Sequence, residues 1–143
     1  MKVKMSEIVA AHLALSKSTL NTLEVSEQSA VFKLCFAINV IVKDYETAER
    51  EIAERLHPDN EKEYQALASK VKENKATQEE TVRFVIITNA HNRNISKHLD
   101  PLLAEEYDVS VEPIAMCVWQ KVFNENNWTV DKMLALGVFT KPE

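Results

Sequence analysis

Between Ser26 and Leu56 the chain runs for thirty-one residues without a Pro or a Gly. Few folds can place so long an unbroken segment. The segment changes character halfway. From Ala30 to Val42 almost every residue is apolar (Val31, Phe32, Leu34, Cys35, Phe36, Ile38, Val40, Ile41), with Lys33 and Asn39 as the interruptions. From Asp44 onward it is charged, and Tyr45, Ala48, Ile52 and Leu56 keep an apolar stripe at spacings of three and four. Such a pattern predicts one long helix, buried all round in its first half and one-sided in its second. Glu46–Arg50 and Glu51–Arg55 stand four apart in the favourable order, which marks the second half as solvated.

The rest of the chain has the same bias. A single Gly and four Pro in 143 residues leave little for tight turns or a phosphate-cradling loop, so all-β classes are set aside. Apolar residues make up 45% and charged residues 27%, the balance of an ordinary globular chain, and the length is read as one helical domain over residues 1–143. The net charge of −5 is spread, and no run of Lys or Arg reaches three, so the footprint of a phosphate-backbone binder is missing and nucleic acid is not expected as a partner. Glu7 and His12 interrupt what would be the apolar core of a signal peptide. The Ala30–Val42 run is short for a membrane span. These features predict a cytoplasmic chain with no membrane partner. Cys35 and Cys117, each inside an apolar run, read as two buried free thiols, which fits a reducing compartment.

Around the long helix, Lys2–Met5 alternates as a short strand does, and Ser6 stands as the cap of a helix over Glu7–Leu23 with Ile8, Val9, Leu13 and Leu20 inward. Ser26 is the expected cap of the long helix and Pro58 its stop. Asn60…Glu63 and Thr77…Glu80 read as capping boxes for helices to about Val71 and His98. The second of these has Val82, Val85, Ile86, Ala90 and Ile95 as its buried line. Pro101 opens a short helix, and Tyr107–Glu112 alternates as a second strand, whose natural partner is Lys2–Met5. A helix over Ile114–Phe123 and a last one from Thr129 follow, with Gly137 in the left-handed position that ends a helix. The fold class expected is mainly α: a helical bundle around a long central helix or hairpin, with a minor two-stranded β ribbon from residues 2–5 and 107–112.

No catalytic, metal or cofactor site is expected. His57-Pro58-Asp59 matches the tripeptide of J-domain co-chaperones, but the preceding helix carries Glu46, Glu49, Glu51 and Glu54 where that family is basic, so it reads as a helix stop. His91 and His98 lie two turns apart, about 10 Å along a helix, too far for one ion. Cys35 and Cys117 sit in apolar settings that offer no base to activate a thiolate. Of the carboxy-terminal aromatics, Trp119 and Phe123, four apart, read as core, while Trp128 and Phe139 are candidates for a protein interface. Glu49, on the charged arm, and Tyr64, on the helix expected to fold back on it, are the other interface candidates.

The order of these features resembles a group of small, mostly uncharacterised helical proteins of tailed bacteriophages. The likeness lies in the opening strand and short helix, the long helix running into Asp44-Tyr45-Glu46-Thr47-Ala48-Glu49-Arg50-Glu51-Ile52, and the segment Leu102-Leu103…Val109-Ser110-Val111-Glu112-Pro113-Ile114. It covers roughly residues 1–115, less part of the third helix. Glu24 stands where the group often has Pro, and the Thr77–His98 segment is enlarged. The resemblance implies a non-catalytic virion structural or assembly protein acting through protein–protein contacts, self-association among them, in the producing cell's cytoplasm or in virions. The alternative is a regulatory or anti-defence protein that binds and inhibits a host protein. It supplies no site residues.

Overall fold

The chain begins with a short strand, β1 (Lys2–Lys4), paired antiparallel with β2 (Glu106–Asp108) in the register Lys2↔Asp108, Val3↔Tyr107, Lys4↔Glu106. Each lysine thus faces a carboxylate across the ribbon, while Val3 points into the core. The predicted pairing is therefore present, over fewer residues than the alternation suggested. The ladder is extended at both ends, where the Val109 N–H donates to the Met1 carbonyl and the Met5 N–H to the Glu105 carbonyl. The computed structural model describes residues 1–142. Its helices are α1 (Met5–Leu15), α2 (Val25–Arg55), α3 (Glu61–Lys72), α4 (Gln78–Ala104), α5 (Met116–Asn126) and α6 (Val130–Ala135), with a 3-10 turn at Gly137–Phe139. The protein is mainly helical, with the long helix α2 as its largest element.

Several boundaries differ from those expected, each for a local reason. The first helix ends at Leu15 rather than Leu23, because Ser16 and Ser18 turn their hydroxyls back onto the carbonyls of Leu13 and Ala14. Its cap is Lys4, whose N–H donates to the Glu7 carboxylate, and not Ser6. Glu27 serves α2 in the same way by accepting from the Glu24 N–H. Thr77 and Glu80 form the reciprocal capping box expected of them, each accepting from the other's N–H at 3.1 Å. Asn60 does not cap with its side chain. It takes the left-handed conformation instead, as do Asn74 and Asn127, while Gly137 does not. Asn tolerates positive φ better than most residues, so the chain turns without glycine. Pro101 lies inside α4 and does not restart a helix. The carbonyl it leaves without a donor, on exposed Lys97, is close to the helix end, where the loss is small.

The residues cluster into two compact units, one of Met1–Glu46 with the chain from Leu103 onward, the other Thr47–Leu102. In the first, the core is close-packed. Ile8, Ala11 and Ala14 of α1, Val31, Leu34, Ile38 and Val42 of α2, and Val118, Trp119 and Val122 of α5 join Trp128, Leu136 and Phe139. Their spacings of three and four place one face of each helix inward. Ile114 forms a parallel bridge to Thr140, closing the carboxy-terminal segment onto the core.

A polar clamp holds the turn between α1 and α2. The Glu125 carboxylate accepts from the Thr19 hydroxyl and from the N–H groups of Asn21 and Thr22, the latter two at 3.0 and 2.5 Å. Asn126 accepts from the Thr19 N–H and donates to its carbonyl, and the Trp128 indole N–H donates to Ser18 at 2.9 Å. The Thr19 hydroxyl, followed by the two N–H groups, holds the Glu125 carboxyl at about 2 against an ordinary 4.5. A carboxylate whose value is lower in the folded state adds stability above the unfolded value and loses it as pH falls toward the folded one. Glu125→Gln is therefore expected to flatten the acid limb of stability between 4.5 and about 2. Urea titrations of both proteins across that range measure it; parallel limbs would refute the clamp.

The second unit has a thinner core. Ile52, Leu67, Ile87 and Leu99 are its buried residues, and each keeps 6–9% of its surface. Tyr64 stacks on Phe84 with ring centroids 5.4 Å apart. Ion pairs Lys70–Glu80 and Arg83–Glu63 join α3 to α4 on the surface. The line predicted as buried on α4 is largely outward: Val82, Val85 and Ile86 are exposed, and Phe84 and Ile87 turn inward instead. Glu49 is exposed on α2. Glu49→Lys is expected to move the unfolding free energy by no more than about 0.5 kcal/mol, as for surface changes generally. A thermal melt checks it.

Candidate interaction surfaces

The first half of α2 is not buried all round. Val31, Leu34, Ile38 and Val42 face the core, while Val25, Phe32, Phe36 and Val40 lie on the opposite side with 83%, 48%, 72% and 67% of their surface exposed. At 100° per residue, Val25, Ser29, Phe32, Phe36 and Val40 fall along one line on the helix surface. The line then turns polar at Lys43. Fully burying one Phe is worth roughly 1.5–3 kcal/mol, so two exposed Phe on one stripe represent a large unused contact energy. A groove of about 260 Å³ opens on one side of Phe36, between α1 and α2, walled by His12, Leu15, Cys35 and Ile38. A second, of about 550 Å³, lies between α2 and the segment Ser110–Glu112.

The same helix bears on a second environment. Among the described residues, α2 alone is long and apolar enough to cross a membrane by length and composition, and 22% of its apolar window is buried.

In the second unit the exposed Ile86 borders a cleft of about 480 Å³. His57, Asp59 and Asn60 line it from the loop after α2, and Arg83, His91 and Asn94 from α4, over an apolar floor of Ile86, Ile87 and Ala90. The His-Pro-Asp segment, expected to be a helix stop, thus also supplies a cleft wall. Asn60 in its left-handed conformation turns the chain there from α2 into α3. His57 lies 3.5 Å from Glu61, the Arg83 guanidinium pairs with Glu63 at 2.9 Å, and the His91 Nδ1 is buried without a protein partner. His98 is exposed and does not line the cleft, although its Nδ1 lies 2.8 Å from the carbonyl of the cleft residue Asn94. The groups lining the cleft set hydrogen-bond donors and acceptors around an apolar floor. Among the described residues, no three His, Cys, Asp or Glu side chains converge as metal ligands.

The sequence-predicted interface residues fall differently. Trp128 and Phe139 are buried, at 5% and 1% exposure, which corrects their expected place on an interaction surface. Trp128 stacks on Trp119 at 6.4 Å and gives its N–H to Ser18, and Phe139 sits in the 3-10 turn that closes the core. Trp119 is buried and Phe123 packs half-buried against the same core, as expected. Tyr64 is half-buried with one ring face against Phe84, and Glu49 is exposed. Trp128 and Phe139 belong to the first unit, and Tyr64 and Glu49 to the second. Cys117 is exposed rather than buried. Cys35 is half-buried, and desolvation raises its thiol above the ordinary value. Phe32, Phe36 and Val40 were missed as surface residues because a run apolar on every side hides its outward face. A signal was present. Lys33 and Asn39, the polar residues of the run, each lie three residues from Phe36 and so flank it.

Compared with protein-family models, with curated proteins and with solved structures, the chain matches none.

Proposed function

We propose that this chain is a non-catalytic protein that works through protein–protein contacts, as a bacteriophage virion structural or assembly component. The observation that carries the contact role is the outward stripe of α2. Val25, Phe32, Phe36 and Val40 stand exposed on a helix whose inner face is already filled, in a chain that has an ample core without them. Exposed apolar groups in one continuous line mark a contact surface more often than scattered ones do. The assembly setting rests on the resemblance of chain order to small tailed-phage proteins, and the expected locations are the cytoplasm of the producing cell and the particle itself.

Mass spectrometry of purified particles tests this reading. The chain is expected in particles, and Phe36→Asp is expected to deplete it from them without altering its fold by circular dichroism. Absence from particles, with one host protein retained on the immobilised chain, would replace this reading with that of a host-directed inhibitor.

A further inference from the structure

The outer face of α2 carries both a projection and a recess that would receive it. Phe36 stands 72% exposed, and beside it opens the groove of about 260 Å³ between α1 and α2, whose apolar walls are Leu15, Cys35 and Ile38. An apolar cavity of about 150 Å³ holds a benzene ring, so the groove has room for one phenyl group. A projection and a fitting recess on one face are self-complementary under a twofold axis, which is the requirement for an isologous pair.

We propose that two copies of this chain pair antiparallel through the outer stripe of α2, each Phe36 ring seated in the other copy's groove. This deepens the protein-contact reading above, on which it rests, by naming the partner as a second copy.

Area and charge both favour this occupant. A standard interface covers about 800 Å² on each partner, a little over half of it apolar. Taking about 200 Å² for a whole Phe, the exposed parts of Val25, Phe32, Phe36 and Val40 amount to on the order of 450 Å², close to that apolar share. Lys43 continues the same line along the helix. Parallel pairing in register would set Lys43 against its own counterpart. Antiparallel pairing centred on Phe36 sets Lys43 opposite Ser29 and Val40 opposite Phe32, with no like charges facing along the line. Lys33 and Asp44 share one flank of the stripe, and a twofold axis across antiparallel helices puts equal flanks together. Each lysine is thereby directed toward the other copy's carboxylate.

Light scattering on size-exclusion fractions, up to roughly 100 µM so that a micromolar dimer is saturated, reads the pairing directly. The native chain is expected at twice the monomer mass, and Phe36→Asp at the monomer mass with an unchanged circular dichroism spectrum. Orientation is read by disulfide formation in a Cys35→Ala, Cys117→Ala background. Chains with Ser29→Cys mixed with chains with Lys43→Cys are expected to give mainly the mixed dimer; like-with-like dimers would overturn the antiparallel arrangement. A native chain that stays monomeric overturns self-pairing. If that monomer still enters particles in a Phe36-dependent way, the broader contact reading stands without it. If the monomer instead floats with phosphatidylcholine vesicles and Phe36→Asp does not, the stripe serves a membrane surface and both readings of it fall.

Discussion

Ile38→Asp is expected to abolish cooperative folding of the unit built from Met1–Glu46 and the chain beyond Leu102. Ile38 is 1% exposed, midway along the inner face of α2, between Leu34 and Val42 in the core. No buried polar or charged residue is found among the described residues, so an introduced carboxylate would enter a core of apolar side chains. Burying an unpaired charge exceeds what a small domain can tolerate, and its usual resolution is to unfold or to protonate. The expected loss is at least about 5 kcal/mol, comparable to the total stability of many domains of this size. Urea titration followed by tryptophan fluorescence measures it, since both Trp residues lie in this core. A cooperative transition with a native midpoint would mean that α2 presents another face inward. The contrast with Phe36→Asp is informative because the two positions are two residues apart and nearly opposite around the helix. Equal damage from both would remove the distinction between the core face and the outer stripe.

Trp119→Ala is expected to cost about 3–5 kcal/mol, the range for deleting a large aromatic from a packed core. Trp119 is fully buried on α5 and stacks against Trp128 at 6.4 Å, so its loss opens a cavity beside the other indole. Trp119→Phe should cost much less, for a reason specific to this site. The Trp119 indole N–H is buried without a protein acceptor, and Phe removes that unsatisfied donor together with part of the ring. Trp128→Phe is a different change, because it takes the N–H donor away from Ser18. Equilibrium denaturation of the variants ranks them. A cost for Trp119→Phe equal to that for Trp119→Ala would show that the indole N–H has an acceptor after all.

How much of this was legible beforehand can be argued element by element. The long helix followed from a segment with no breaker, and the reciprocal cap of Thr77 and Glu80 from residue types at a fixed spacing. The pairing of β1 with β2 followed because an isolated alternating segment needs a partner and the chain offers one other. These are local or nearly local signals. The face of α2 that turns outward was not legible from apolar periodicity, since Phe32, Phe36 and Val40 are as apolar as Val31, Leu34 and Ile38. The interface candidates Trp128 and Phe139 failed for a related reason: near a chain's end, aromatic side chains look alike whether they close a core or cover a partner. The Glu125 clamp joins residues about a hundred positions apart, and the cleft brings His57 toward His91 from separate elements. No spacing rule reaches across those distances.

Residue order alone shows that this protein is helical, that one long helix runs from about Ser26 to Leu56, where the structure has Val25–Arg55, and that a small ribbon joins an early segment to a late one. Backbone propensity, capping chemistry and the absence of glycine act within a few residues, so they can be read in order along the chain. Which side of that helix is core and which is surface follows from packing alone. Burial is a property of what packs against a residue, and for the apolar half of α2 both sides were chemically fit to be covered. α1 and α5 supply residues to the core that its inner face fills, and Phe36 is left outside it.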